Sequence, residues 1–556
     1  MAQATENYRR IHLRTSHKIA LAVVGALSAL AAVLDPRALG ALFGGAGFPA
    51  FPYHLDLDVY RVGAQRVLDG LELYSGHFHI VGDINLPFTY PPISALLFTP
   101  LAVLPYTASS VLLTLATVTL TWWVLAHTVH LAAWVDRKSA AWVAVGLAAV
   151  LIHLSPIHTS ITYGQINVVL MAMVFADAFV VPRRFRGLLT GLAVSIKLTP
   201  AVFGLWFLLR KEWGSVVRMG LGAIGATGLA WLILPRDSVK YWTETLRETG
   251  RIGGEEYTLN QSLNGLLYRL GLRTKTSEGG GLGDANGAAV GDGRGGADGG
   301  GVGDGSGAAN GGGVGDGSGT ANGGGVGDQV GEALRTAEGM HGVHGVHGAQ
   351  LWLVLVILAL IVVAFVMVRL LRANAPIVAL CVNALFALLA SPVSWSHHWC
   401  WAPVLLVAIG SYALAEQNTR KRAPATSNVP VTSNVPVTSD APTDSDAPAG
   451  HDDPTASDAP VGTTSTSRAT SSCTRTDHAL AGPRWMWIAL LITGFLAFAL
   501  EPTTLVPFND HRELDWNVWQ RFVGNVYLWW TLIALLLLGV FARKHLAESS
   551  RSLTAP

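Results

Sequence analysis

Along most of the chain, apolar runs of about twenty residues alternate with short polar or basic breaks. The runs predict helices near 17–34, 108–131, 140–154, 164–181, 187–209, 214–235, 350–371, 375–391, 398–416, 485–501 and 522–542. Each approaches the ~20 apolar residues that cross ~30 Å of hydrocarbon. Two stretches break the pattern. Residues 279–349 are glycine-rich, with "GGGVGDGSGAAN" at 299–310 repeated as "GGGVGDGSGTAN" at 311–322. So short and polar a repeat buries no core and reads as a flexible linker. Residues 423–480, rich in Pro, Ser, Thr, Asp and Ala, read as a disordered loop.

Basic residues in the breaks assign sides, because Lys and Arg concentrate on the cytoplasmic face. Arg9, Arg10, Arg14 and Lys18 precede the first run, which reads as an uncleaved first helix because no cleavage site is evident. Its N-terminus is then cytoplasmic and residues 35–107 are external. "VDRKS" at 135–139 is inside, "SPIHTSITYGQ" at 155–165 outside and "PRRFR" at 182–186 inside. The run 187–209 breaks this alternation, since "RRFR" and "RKEW" flank it on both ends. It also holds Lys197 and Pro200 in its middle, where a charge and a missing backbone donor are costly. A hairpin of two half-helices, entering and leaving on the cytoplasmic side, resolves both conflicts. The later sides then agree, with 236–349, 391–398 and 502–521 outside and 369–376, 419–422 and 542–545 inside.

The expectation is an all-α polytopic membrane protein of roughly twelve membrane segments. Its parts are an N-terminal membrane half (1–270) carrying the external loop 35–107, a disordered external insert (271–349), membrane helices 350–416, a disordered cytoplasmic loop (417–483) and C-terminal helices (484–545). Composition agrees: only 13% of residues are charged, about half the share of a soluble domain. A formal net charge of +1 argues against a nucleic-acid partner. Cys381, Cys400 and Cys473 lie far apart with no CxxC spacing, so neither a zinc site nor a disulfide framework is expected.

Against this apolar background the polar clusters need a reason. Asp56, Asp58 and Arg61 follow the first membrane helix. Partly desolvated carboxylates there suit a general base, or else simply cap a helix. "FTYPPISALLFTPLAVLP", which includes Tyr90, reads as a proline-broken amphipathic segment on the membrane surface or as a plain loop. Gln165 and Asn167 open a helix, where they would bond a sugar or a neighbouring helix. Lys197 would hold a lipid phosphate, pair with a carboxylate or snorkel. Asn260 and Gln261, in "NQSLN", are amide-rich as carbohydrate surfaces often are. His397 and His398, in "SPVSWSHHWCW", open a membrane helix at the external side, yet no HxxxH or HExxH spacing supports a metal.

Six motifs in this order resemble a known family: "DLDVYRVGAQRVLDGLELY", "FTYPPISALLFTPLAVLP", "GQINVVLMAMVFADA", "RGLLTGLAVSIKLTPAVFGLWFLLRKEW", "NQSLNGLLYR" and "SPVSWSHHWCW". Each alone is weak; together they resemble the polyprenyl-phosphate-mannose-dependent α-mannosyltransferases of actinobacterial cell envelopes, which are GT-C glycosyltransferases of family 87. The resemblance implies a multi-pass plasma-membrane enzyme with an external active site. It would take mannose from a polyprenyl-phosphate-mannose donor to a glycolipid or lipoglycan acceptor, by inverting single displacement, giving an α-(1→2) linkage without metal or cofactor. The family's catalytic carboxylate corresponds to Asp56, with Asp58 as the other candidate. Arg61, Tyr90, Gln165, Asn167, Lys197, Asn260, Gln261, His397 and His398 would bind donor or acceptor. The competing readings are a secondary transporter, which a broken helix and a buried lysine also suit, a GT-C enzyme for another sugar such as arabinofuranose, and a catalytically silent lipid-binding scaffold.

Overall fold

The computed structural model describes residues 10–33, 54–81, 84–248, 254–273, 327–422, 480–508 and 511–542. The glycine repeats at 299–322, the Pro/Ser/Thr/Asp segment and Cys473 lie outside the described residues. Almost everything described is helical. The long apolar runs give α1 (Thr15–Val33), α4 (Tyr106–Ala132), α5 (Arg137–Leu151), α7 (Asn167–Phe179), α10 (Trp213–Ile233), α13 (Gly327–Arg372), α14 (Pro376–Ala390), α15 (Trp401–Arg422), α16 (Arg484–Leu500) and α18 (Val526–Phe541). Between them lie α2 (Leu55–Leu68), α3 (Pro92–Val103), α6 (Ser155–Thr162), α8 (Leu188–Ile196), α9 (Gly204–Leu209), α11 (Pro235–Thr243), α12 (Leu263–Arg269) and α17 (Val518–Val523).

Three features differ from the sequence reading. Residues 155–162, expected as a turn, form α6, bent 78° from α5. Strands β1 (Phe78–Val81) and β2 (Ile84–Leu86) make an antiparallel hairpin in the first loop, where no sheet was expected. Their β-branched and aromatic residues suit a pleated surface. Helix α13 begins at Gly327, inside the segment read as linker, where Glu332, Ala333, Leu334, Arg335 and Ala337 are strong helix formers.

Helix α14 is the centre. Ile377 through Leu385 are all at most 2% exposed, with α13, α15 and the turn at 199–203 packed around it. The outer helices present the opposite pattern. Val217, Leu221 and Ile224 on α10, Leu353, Ile357 and Ile361 on α13, and Ile488, Ile492 and Leu496 on α16 are exposed at helical spacing. Exposed apolar stripes on several outer helices are what a bilayer would cover. Four described helices are long and apolar enough to cross a membrane, or five counting the bent α5–α6 pair; six further apolar helices are shorter.

The hairpin expected at 187–209 is visible in its ends. Spanned as one helix, those residues would separate their flanks by about 35 Å. Instead Arg186 Nη1 and Arg210 Nε both contact Glu212 Oε1, at 3.2 and 2.9 Å, and Arg218 Nε donates to Arg186 O at 2.8 Å. The chain rises through α8, breaks at Lys197 and returns through the 199–203 turn and α9. Buried Asp177, at the end of α7, anchors the rise. It accepts from Gly187 N and Thr190 N at 2.9 Å and from Thr190 Oγ1 at 2.7 Å, satisfying the free amides that open α8. Gly191 lets α8 lie against the backbone of α10, since a Cβ there would stand 2.3 Å from Met219 O. Gly191→Leu should therefore destabilise the fold by about 1–3 kcal/mol, as overpacking does. Thermal unfolding in detergent checks this, and an unchanged midpoint would refute the close crossing.

Candidate active site

The hairpin tip carries Lys197 into a polar cluster drawn from four separate parts of the chain. The first part is α2. Its opening amides, Asp56 N and Leu57 N, both donate to Tyr163 O, at 2.9 and 3.3 Å. The close approach requires Gly164, which has φ +67° and whose Cβ would meet His54 and Leu57 at 2.8 and 2.9 Å. The turn sets Gln165 beside Asp56, and Gln165 Nε2 donates to Asp56 Oδ2. Gln165 Oε1 in turn accepts from Tyr60 OH at 3.0 Å, Tyr90 OH at 3.4 Å and Asn167 Nδ2 at 3.3 Å. From there the chain of contacts runs to the lysine. Lys197 Nζ donates to Asn167 Oδ1 at 3.0 Å and Tyr90 OH at 3.4 Å, and stands 3.2 Å from His398 Nε2.

Burial separates two kinds of member. Tyr60, Tyr90, Gln165 and Asn167 are buried and hold the geometry, whereas Asp56, Lys197 and His398 are half-buried. Asp56 Oδ1 makes no hydrogen bond to another described residue. Burial pushes the Asp56 carboxyl up to about 6, and the Gln165 hydrogen bond and the Lys197 charge hold it from going higher. An acid-range carboxyl becomes a base poised near neutrality.

His397 and His398 sit in a one-turn 3₁₀ segment, Ser396–Trp399, just before α15, so the α-helix they were expected to open starts only at Trp401. Trp395 N donates to His398 Nδ1 at 3.2 Å. In the neutral ring the proton is then on Nε2, facing Lys197. The ammonium and this N–H thus stand side by side, 3.2 Å apart. His397 is 6% exposed; its ring lies 5.9 Å from that of Tyr163 and 4.6 Å from that of His398, and neither ring nitrogen has a hydrogen-bond partner among the described residues. Both nitrogens are therefore open to a further hydrogen bond. Among the described residues no three of His, Cys, Asp or Glu gather.

Comparison with known proteins places the chain. The chain is 34% identical over 521 residues to a polyprenol-phosphate-mannose-dependent alpha-(1-2)-phosphatidylinositol mannoside mannosyltransferase of Mycobacterium tuberculosis, covering 90% of this chain and 88% of that one. It is 30% identical over 530 residues to a protein of the same name from Mycolicibacterium smegmatis, covering 90% and 87%. The profile of glycosyltransferase family 87 matches residues 88–290. The chain belongs to glycosyltransferase family 87. A more distant relative, an alpha-(1->3)-arabinofuranosyltransferase of Corynebacterium glutamicum, is 26% identical over 219 residues, 38% of this chain and 49% of that one. No solved structure matches.

In this family 87 chain, several residues singled out by sequence lie outside the cluster. Arg61 donates through Nη1 to Leu101 O, to Leu104 O at 2.8 Å and to Ser109 Oγ at 3.1 Å. Its guanidinium closes the end of α3 and ties α2 to the start of α4. Asp58 is half-buried in the first turn of α2 and two positions from Asp56, which turns it to another side of the helix. Asn260 and Gln261 are 0% and 1% exposed and bond backbone. Asn260 Oδ1 accepts from Ser394 N at 2.9 Å and its Nδ2 donates to Pro392 O at 3.2 Å. Gln261 N donates to Ser394 O at 2.9 Å and its Nε2 to Gly524 O at 2.7 Å. The "NQSLN" amides thus brace the loop that presents the histidines. Asn260→Ala would strand these backbone groups and cost about 1–3 kcal/mol. Transfer activity should fall severalfold while the acid limb of the pH profile stays in place, and a displaced limb would instead put Asn260 in direct contact with the reacting groups.

One member escaped the sequence reading. Tyr60 lies in the same motif as Asp56 and was not among the candidates. Its spacing of four residues on one helix puts both on the same face. The structure places its hydroxyl 3.0 Å from both Tyr90 OH and Gln165 Oε1.

Proposed function

We propose that this family 87 enzyme transfers mannose from a polyprenyl-phosphate-mannose donor to a phosphatidylinositol-mannoside-type glycolipid, forming an α-(1→2) linkage. The observation that carries the reading is the arrangement of the cluster. A carboxylate poised as a base stands at one end of a continuous hydrogen-bonded chain, and a cation beside a histidine donor stands at the other. Single displacement at an anomeric carbon needs both. The acceptor hydroxyl oxygen bonds to C1 as its proton passes to Asp56 Oδ1. The bond from C1 to the phosphate oxygen breaks, and its electron pair leaves on the phosphate. Attack opposite the leaving group turns a β-linked donor into an α-mannoside. A phosphate oxygen at the convergence of Lys197 Nζ and His398 Nε2–H gives those two donors their shared acceptor and neutralises the charge developing there. His397, whose two ring nitrogens have no hydrogen-bond partner among the described residues, supplies a further contact to donor or acceptor. The relatives named as mannosyltransferases favour this reading over a transporter or a silent scaffold.

The cluster opens to the outer face of the plasma membrane in this reading, with roughly twelve membrane segments counting the hairpin as two. Mannosyl transfer from radiolabelled polyprenyl-phosphate-mannose to glycolipid, by purified protein in vesicles, tests the activity; transport of the donor with no glycolipid product would sink it. For the sides, cysteines placed at 184 and 211 should both be protected from an impermeant thiol reagent in intact cells. Labelling at both positions would place the hairpin's mouth outside and overturn the outward-facing cluster, and labelling at only one would sink the hairpin.

A further inference from the structure

A second cavity lies apart from the active site, where the N-terminal segment meets the start of α5. Its volume is about 820 Å³. Ile11 N donates to Ser139 Oγ at 3.0 Å, so the segment before α1 is fastened to the first turn of α5. That fastening gathers the basic clusters of two distant stretches around one space. Arg10 and Lys18 line it from one side, Arg137 and Lys138 from the other.

Positive charge outweighs negative among the described residues that line this cavity. Asp136 is the one carboxylate among its lining residues, and it serves as the cap of α5: it accepts from Lys138 N at 3.1 Å, Ser139 N at 3.2 Å and Ser139 Oγ at 2.5 Å. Four cationic side chains against one capping carboxylate leave a strong local positive field, with His12 adding a further polar group. An anion placed among them is attracted by all four. The rest of the lining is apolar. Trp122 and Trp142 form one wall, and Trp122 Nε1 is already used by Ala141 O at 3.0 Å, so the indole offers its ring rather than a donor. Ile11 and Leu13 face it from the N-terminal segment. Below, α1 and α5 pack tightly, with Gly25 against Val145 and Gly146 against Leu21. A polar anionic head with an apolar body fits such a cavity; basic pockets between membrane helices bind phospholipid headgroups in this way.

We infer that this cavity is a binding site for the phosphate headgroup of an anionic glycerophospholipid, with the indole wall taking the start of its acyl chains. Arg10, Lys18, Arg137 and Lys138 hold the phosphate. The site is separate from the Asp56–Lys197 cluster and stands or falls independently of the reaction proposed there.

Retention of radiolabelled phosphatidylglycerol by the full-length protein in neutral detergent tests the inference, with phosphatidylcholine as the comparison lipid. The wild type should retain phosphatidylglycerol at least tenfold over phosphatidylcholine. Each cation near an anionic surface is worth roughly fivefold in binding. The quadruple variant Arg10→Gln, Lys18→Gln, Arg137→Gln, Lys138→Gln should therefore fall to the phosphatidylcholine level, with mannosyl transfer within a few-fold of wild type. If the quadruple variant fails to elute as a folded species, the pair Arg137→Gln, Lys138→Gln should still lose retention by tenfold or more. Equal retention of the two lipids by the wild type, or undiminished retention by folded variants, would overturn the site. Full displacement of phosphatidylglycerol by millimolar inorganic phosphate would also overturn it, since the cavity would then be a site for free phosphate rather than for a lipid.

Discussion

Asp56→Asn should reduce mannosyl transfer by ~10²-fold or more, the scale of a lost general base, while the protein still folds. Asparagine keeps the shape of the carboxyl, and its side-chain oxygen can still accept from Gln165 Nε2, so the link between α2 and the 163–167 turn survives. What disappears is the oxygen that takes the acceptor's proton. The pH profile gives a second readout. Burial has raised the Asp56 pKa to about 6. The working form is the ionised one, so kcat/KM should fall about tenfold per unit as pH drops below that value. The residual activity of Asp56→Asn should lack this limb. Asp58→Asn should keep both the rate and the limb. Loss of activity in Asp58→Asn with near-normal turnover in Asp56→Asn would reverse the assignment of the two carboxylates.

Lys197→Met should lower kcat by roughly 10²–10³-fold, as removal of a preorganised charge at a developing anion does. Methionine fills the volume of the lysine stem but cannot meet a phosphate or donate to Asn167 Oδ1. His398→Ala should act in the same direction, since its Nε2 lies 3.2 Å from the same ammonium. Because the lysine acts on the leaving group, the smaller Lys197→Ala should be partly restored by added methylammonium, whereas Asp56→Asn should not. Turnover near that of the wild type in Lys197→Met, with the donor bound normally, would remove the lysine from the reaction and leave it a structural bond of the hairpin tip.

Helices were legible from composition, because an apolar run of span length has few other solutions. The hairpin at 187–209 was legible for a related reason. Basic residues at both flanks and Lys197 at the centre conflict with a single crossing, and the structure resolves the conflict by bringing Arg186 and Arg210 onto one Glu212. The β1–β2 hairpin and α6 were not legible: both are short, and short segments lack the repeated periodicity that separates strand, turn and helix. Arg61 shows the limit for side chains. In sequence it looks like a phosphate ligand, yet its partners are carbonyls at Leu101 and Leu104, and nothing in a one-dimensional pattern announces a backbone acceptor forty residues away.

The amino-acid sequence by itself determined an apolar, helical, membrane-suited chain, its broken helix, and which polar residues stand out against that background. Hydrophobicity and charge act residue by residue, so their pattern survives in one dimension. Only the tertiary structure decided which of those polar residues meet. Asp56, Tyr90, Gln165, Asn167, Lys197 and His398 come together; Arg61, Asn260 and Gln261 brace the scaffold around them; Tyr60 joins unannounced. The reason is that a hydrogen bond depends on angstrom-scale distance and direction, and here those are set by the packing of α2, α7, the hairpin tip and the turn before α15.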